Sequence, residues 1–255
     1  MGQLPTGMES FDFSSEFTDD IRLPSREAHI IRANLPTSSR ASAQLFCLLS
    51  PDERERAARY RLEEHRRRFI VGRALLRTIL ATYLRISPAE VRFTYGPQGK
   101  PNLDKSRYWP SIDFNASVSE ELAVFAIAPD VPVGVDVERV SPRGGIDSVA
   151  RRICSPAEYR AYAALAGEEK TEAFFRCWSR KEALAKAIGG GLAFPMNQCD
   201  VSTGGRVFCN FHGGDAAKEA EWFIHDLSPA EGFVGALATR PDGHRILSFS
   251  YPETD

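Results

Sequence analysis

One order of segments occurs twice along this chain, and it narrows the folds open to it. The run "ELAVFAIAPDVPVG" (121–134) resembles "EGFVGALATRPDG" (231–243), and each lies downstream of a long helical pattern, "FIVGRALLRTIL" and "FFRCWSRKEALAKA". Strand, helix and strands therefore follow one another twice, which predicts an α+β pseudo-dimer of two similar α/β halves. Strand-rich segments also resemble one another by chance, so the repeat needs a second observation. The halves are expected over residues 25–130 and 131–255, after a flexible leader at 1–24. A seam between such halves is where ligand sites tend to form.

Within the first half, "EAHIIRANL" (27–35) reads as an opening strand, and 42–86 as helix broken at Ser50-Pro51, where Ser50 caps and Pro51 takes the first helical position. "VRFTY" reads as a strand and "GPQGKPNLD" (96–104) as a turn-rich loop. The apolar runs 122–128 and 131–140 read as a hairpin about Pro129-Asp130. Helices follow at 155–166 and 168–189, the second closed by Gly189-Gly190-Gly191, and short strands occupy the chain from Asp200 onward. A composition 43% hydrophobic and 26% charged, with a net charge of −2, suits a soluble domain and gives no pull toward nucleic acid or an acidic membrane. The arginines of the helical block are interleaved with acids and lack aromatic stacking partners, which disfavours a nucleic-acid surface. No segment reaches the roughly 18 apolar residues of a membrane span. The 5 cysteines include no CxxC pair, which argues for reduced thiols in a cytosol.

The stretch "GVDVERV" (134–140) sets Asp136 and Glu138 on one face of a strand, with Val135 and Val137 on the other. Two carboxylates so close repel, unless they are solvated at a strand end or a cation lies between them. On the helix "FFRCWSRKEALAKAIGGGL" (174–192), Trp178, Glu182 and Lys186 stand four apart and form a stripe. Glu182 and Lys186 are either a surface ion pair or a third carboxylate and an ammonium facing the strand. Three carboxylates suit a hard cation such as Mg²⁺, which shares its sites with substrate phosphates. A lysine one turn on would hold a phosphate oxygen as a point charge.

Together the two stretches resemble the signature of 4′-phosphopantetheinyl transferases of the large surfactin-synthetase-activating type, roughly (V/I)G(I/V)D(I/V)E followed by W-x-x-K-E-A-x-x-K-x-x-G-x-G. The block 48–77 is similar to the family's N-terminal helices, "GKPNL" (99–103) to its GKP loop, and "FNASVS" (114–119) stands where the family has F-N-x-S-H-S. The resemblance implies a monomeric, cytoplasmic pseudo-dimer with its active site in the cleft between halves. It implies transfer of the phosphopantetheine arm of coenzyme A to a serine of an acyl or peptidyl carrier protein, releasing adenosine 3′,5′-bisphosphate. The pathways so served build fatty acids, polyketides or nonribosomal peptides.

By motif match, Asp136, Glu138 and Glu182 would hold Mg²⁺, or Mn²⁺, on the pyrophosphate, and Lys186 would bind a phosphate oxygen. Glu182 would take the serine proton, with Glu158 as the alternative base or a first-turn glutamate favoured by its helix dipole. Lys100 and Pro101 match the loop along the nucleotide, Ser117 falls within the F-N-x-S-H-S match, and Arg56 stands at a basic position for the 3′-phosphate. The remaining arginines there, among them Arg68 and Arg73, read as a solvated face, and Trp178 as core or ligand contact. The chain departs from the pattern at Val118, where the family has histidine, with Glu120 and Glu121 following. Glu53 and Phe69 replace a lysine and a small hydroxyl residue. Three readings follow: a transferase with looser nucleotide recognition, one with a different donor such as dephospho-coenzyme A, or a non-catalytic module that binds carrier proteins.

Overall fold

In a computed structural model, residues 11, 13–96, 98–104, 106–108, 111–142, 144–191, 194–202, 205–208, 221–240 and 244–253 are described. The chain divides into two units, Phe13–Asp130 with Arg245–Asp255, and Val131–His244 with Met1–Asp12.

The first unit opens with β1 (Glu27–Asn34), then α1 (Ser39–Phe46), α2 (Pro51–Ala58) and α3 (Glu63–Leu84). The break at Ser50-Pro51 falls where the sequence places it: Pro51 begins α2, and Glu53 accepts from the Ser50 N–H at 2.9 Å. A short hairpin follows, β2 (Phe93–Tyr95) and β3 (Pro101–Leu103), then a longer one, β4 (Ile112–Ser119) and β5 (Leu122–Pro129). All eight residues of β5 are buried, as suits a central strand, and α3 lays Val71, Leu75, Ile79 and Leu80 against Ile31, Phe114, Phe125 and Ile127.

The second unit runs β6 (Gly134–Arg139), α4 (Ile146–Ile153), α5 (Pro156–Ala163), α6 (Gly167–Ile188), β7 (Gly205–Phe208), β8 (Glu221–Leu227) and β9 (Phe233–Thr239). Its sheet has the order β6-β9-β8-β7, and that of the first unit β10-β1-β5-β4, with β10 covering Arg245–Ser250. In each, the opening strand pairs antiparallel with the second strand of a later hairpin, after a long helix. The repeated order read in the sequence is thus a repeated topology.

Three expectations need correction. The runs about Pro129-Asp130 are not a hairpin: β5 pairs with β1 and β4, whereas β6 pairs with β9 in the other sheet. Asp130, at φ 53°, turns the chain between units. The last strand does not stay with the second half, because β10 runs parallel to β1, from Glu27 opposite Arg245 to Arg32 opposite Ser250. The leader is not loose throughout. Phe17 is 4% exposed, packed on Tyr83 and Phe249, and its N–H donates to the Ser250 carbonyl. Arg85, which ends α3 in the left-handed region at φ 56°, donates to the carbonyls of Asp19, Asp20 and Ile21. Residues 1–10 and 12 of the leader and Cys209 lie outside the described residues. Among those described, Cys47, Cys154, Cys177 and Cys199 are thiols, and no helix is long and apolar enough to cross a membrane.

Glu53, which stands where the family has a lysine, lies in the core at 1% exposure, with Arg77 Nε 2.7 Å from its carboxylate. Arg77 also donates to the carbonyls of Pro88 and Val91, both at 3.0 Å. Glu53→Ala strands that buried guanidinium, so urea unfolding should show a loss of about 3–5 kcal/mol. A second core group adds a pH dependence. His29 is buried beside the Tyr83 hydroxyl, and burial outweighs Glu27 in holding its imidazole below the ordinary value of 6.5. The unfolded chain therefore binds this proton more tightly. Stability should be full above about pH 6.5 and fall as pH drops toward the folded value. Melting temperatures measured between pH 5 and 7 should show this slope flattened in His29→Gln; an unchanged slope would refute the assignment.

Candidate active site

Strand alternation puts Gly134, Asp136 and Glu138 on one face of β6, beside Ala238 and Ala236 of β9 in register, and α6 packs on that face. The approach is close because Gly134 meets only the small residues Ala183 and Ala187 of α6. A Cβ at Gly134 would lie 2.1 Å from the carbonyl oxygen of Ala183 and 2.4 Å from the Ala187 nitrogen. Only glycine allows helix and strand to meet this way.

The stripe on α6 then fastens to the strand at both ends. Trp178 Nε1 donates to Glu138 Oε1 at 3.1 Å, while its ring stacks on Phe174. Lys186 Nζ donates to Asp136 Oδ1 at 2.7 Å and to the Val135 carbonyl at 3.1 Å. Glu182 stands between them on the same stripe. Its carboxyl is held above the usual range by burial first and by the charge of Asp136 second, against the pull of Lys186. Asp136, Glu138, Glu182 and Lys186, expected together, are therefore brought together. The hydrogen bond to Glu138 gives Trp178 a positioning role beside its packing.

Two neighbours on α6 that the motif reading passed over hold the helix in register. Arg180 grips Asp226 of β8 with two bonds, 2.7 and 2.6 Å, and donates to the carbonyls of Val201 and Ser202. Lys181 is fully buried, 2.8 Å from Glu158, and donates to the carbonyls of Met196 and Cys199. Glu158 belongs to this network. Its carboxylate accepts from the Ser155 N–H, closing a capping box on α5, and from the Val201 N–H, both at 2.6 Å. These partners give it the parts of a cap and a counter-ion, in line with the first-turn reading of the sequence. The signal for Lys181 was its place inside W-x-x-K-E; periodicity alone cannot tell a buried lysine from a solvated one.

In the first unit, a cleft of about 480 Å³ opens between α3 and β4, lined by Tyr60, His65, Arg68, Phe69, Arg73 and Val118, with Pro101 at its edge. Of the expected nucleotide residues, Pro101, Phe69 and Val118 share this cleft. Arg56 adjoins it, its guanidinium 5.2 Å from the Phe69 ring centre. Lys100 is 3.6 Å from Asp113, and Ser117 is buried on β4 opposite Val124. Arg68 and Arg73 are not a solvated face. Arg73 lies over the Phe69 and Phe93 rings and 3.6 Å from Glu53. Arg68 pairs with Glu64 and Glu120 and lies 3.8 Å from Glu121, so the acids after Val118 meet a guanidinium rather than facing the cleft uncompensated. His65 escaped notice because one histidine on a charged helix carries no pattern.

Residues 132–238 match the model of the 4′-phosphopantetheinyl transferase superfamily, and residues 35–130 that of the 4′-phosphopantetheinyl transferase N-terminal region. The chain is 39% identical over 232 residues to 4′-phosphopantetheinyl transferase HetI of Nostoc sp., covering 91% of this chain and 95% of that protein. It is 32% identical to a 4′-phosphopantetheinyl transferase of Bacillus subtilis, over 65% of this chain and 71% of that one. It is 29% identical to the mouse L-aminoadipate-semialdehyde dehydrogenase-phosphopantetheinyl transferase, over 80% and 72%. Both units and almost the whole length are covered by these matches, and the chain belongs to the 4′-phosphopantetheinyl transferase superfamily.

Proposed function

We propose that this chain moves the phosphopantetheine arm of coenzyme A to a serine of an acyl or peptidyl carrier protein, releasing adenosine 3′,5′-bisphosphate, and that Asp136, Glu138, Glu182 and Lys186 carry the reaction. The observation behind this reading is the clasp of α6 on β6, which gathers acids and an ammonium on one small face. Attack at a diphosphate asks for placement and charge neutralisation rather than covalent help. Lys186 would hold a diphosphate oxygen as negative charge grows on the leaving group. Glu182 would accept the proton of the serine hydroxyl, a task helped by a carboxyl whose affinity for protons is already raised.

The donor set fits Mg²⁺ or Mn²⁺: the three carboxylates offer only oxygen, and repulsion between Asp136 and Glu182 is what a dication relieves. Asp136, Glu138 and Glu182 would hold it. When bound, such an ion neutralises phosphate charge without reorganisation. Pro101, with Lys100 and Arg56 beside it, would border the nucleotide, and Ser117 would support it from β4. A reducing cytosol suits the described thiols.

Intact-mass measurement of an apo-carrier incubated with the protein, coenzyme A and Mg²⁺ should show the mass gain of one phosphopantetheine. Glu182→Gln and Lys186→Ala should each slow transfer by about 10²–10³-fold, and a chelator should stop it until Mg²⁺ or Mn²⁺ is restored. Undiminished transfer in Glu182→Gln would reject its role as the base, and no mass gain with any carrier would favour a non-catalytic carrier-binding module.

Val118 supports a further reading of donor choice. It presents an apolar side chain to the cleft, 40% exposed, where the signature has a histidine. A hydrogen bond to a charged group contributes about 1.5–3 kcal/mol, so its loss weakens a phosphate grip by about 10- to 100-fold. Dephospho-coenzyme A should therefore be used with a kcat/KM within about tenfold of coenzyme A, and Val118→His should widen the gap. A strong preference of the native chain for coenzyme A would sink this reading.

A further inference from the structure

Outside the acidic stripe, the described residues of the second unit include a pair of nucleophiles in contact. Cys154 lies at the corner where α4 ends, directly before Ser155, the N-cap of α5. Cys177 lies on α6, directly before Trp178. Their sulfurs are 3.8 Å apart and hydrogen-bonded. Cys154 is 6% exposed and Cys177 half-buried, both among the apolar side chains that include Phe174 and Trp178.

The two thiols differ in character. The hydrogen bond from Cys177 holds the Cys154 thiol below its ordinary value, with the charge of Lys181 acting the same way against burial and Glu158. The same bond, together with burial, pushes the Cys177 thiol up. These directions favour Cys154 as the attacking sulfur, while the contact itself lets either sulfur donate. Glu158 lies close enough to form a three-atom group with both sulfurs, all within 4.8 Å. Its oxygens already serve Lys181, Ser155 and Val201, which leaves two sulfur ligands where a zinc site needs four.

We propose that Cys154 and Cys177 form a redox-closable dithiol that links the oxidation state around the protein to the register of α6. With hydrogen peroxide as oxidant, the Cys154 thiolate attacks one oxygen, the O–O bond breaks and the departing hydroxide leaves as water. The resulting sulfenic acid is attacked by the Cys177 sulfur. The S–S bond forms, the S–O bond breaks, and the hydroxyl leaves as water with the Cys177 proton. Two thiols are oxidised and one peroxide is reduced to two waters. An external dithiol reverses the bond by exchange.

Closure brings the sulfurs to about 2.05 Å. The residues that move are the α4–α5 corner, which carries Glu158, and the α6 turn that carries Trp178, whose indole holds Glu138. Displacements of about 1 Å at supporting residues can cost up to about 10²-fold in rate. Transfer should therefore fall at least about tenfold on closure. The coupling rests on the assigned role of the α6 stripe; formation of the bond does not.

The test treats the reduced full-length protein with hydrogen peroxide, alkylates it, and maps its peptides by mass. The expected result is a Cys154–Cys177 cross-link that removes two alkylatable thiols and is reversed by dithiothreitol. Transfer to an apo-carrier should fall and recover in parallel, and Cys177→Ser should keep its activity through the same treatment. Oxidation of either cysteine to sulfinic acid without a cross-link, bonding only through exposed Cys47, or a cross-link that leaves transfer unchanged would each overturn the proposal. So would thiols protected by zinc and released by a chelator. If Cys177→Ser does not fold, the peptide map of the native chain still decides.

Discussion

The packing of α6 onto β6 at Gly134 is the contact on which the acidic site depends. A methyl group there would sit 2.1 Å from a helix carbonyl oxygen, inside any van der Waals limit, so the helix lies on the strand's backbone itself. That spacing sets what the side chains above it can reach. From this height the indole of Trp178 and the ammonium of Lys186 meet the carboxylates of Glu138 and Asp136. A helix lifted by one bulky side chain would break both contacts at once. Arg180 on Asp226 and Lys181 on Glu158 then hold the helix against sliding and rotation. Glu182 is placed by its neighbours more than by partners of its own.

The duplicated topology makes the specialisation of each unit visible. Where α6 faces Asp136 and Glu138 on β6, α3 faces Ile31 and Ala33 on β1, and the contact is a plain apolar core. The first unit spends its charged groups elsewhere on α3, on the Glu53–Arg77 pair in the interior and on the arginine-lined cleft beside β4. One scaffold thus carries acids on the strand of one unit and cations on the helix of the other. No rule of the fold demands this, since helix-on-sheet packing needs only small or apolar residues at the contact.

Much of this was legible in the sequence, and the failures share a cause. Local signals were reliable: the alternation that paired Asp136 with Glu138, the four-residue spacing of Trp178, Glu182 and Lys186, the Ser50-Pro51 start of α2 and the Gly189 end of α6. The repeated order of segments pointed to the repeated topology of the two sheets. What local patterns could not convey was partner choice at long range. Nothing in "RILSFSY" says that it joins a strand more than two hundred positions earlier, and nothing in Pro129-Asp130 says that its flanking strands enter different sheets. Phe17 read as leader because burial of one aromatic depends on Tyr83 and Phe249 arriving from elsewhere. Glu53 and Glu158 show the same limit. Each is the third residue of a helix, each closes a capping box, and each meets a buried cation from a distant helix.

Those buried pairs also shape the charge of the site. In the second unit the cations beside Glu182 along α6, Arg180 and Lys181, are committed to Asp226 and Glu158 and turn away from the stripe. Where α6 meets β6, three carboxylates, Asp136, Glu138 and Glu182, gather with the ammonium of Lys186, a formal balance of −2 among these four groups. Burial amplifies that excess, and the raised proton affinity of Glu182 is its visible sign. Such a site lowers its energy either by taking up a proton or by taking up a cation. The first would remove the base proposed for the transfer, and the second would keep it. A dication would match the formal balance of this set, so the charge that looks like a liability on β6 supports the proposed ion.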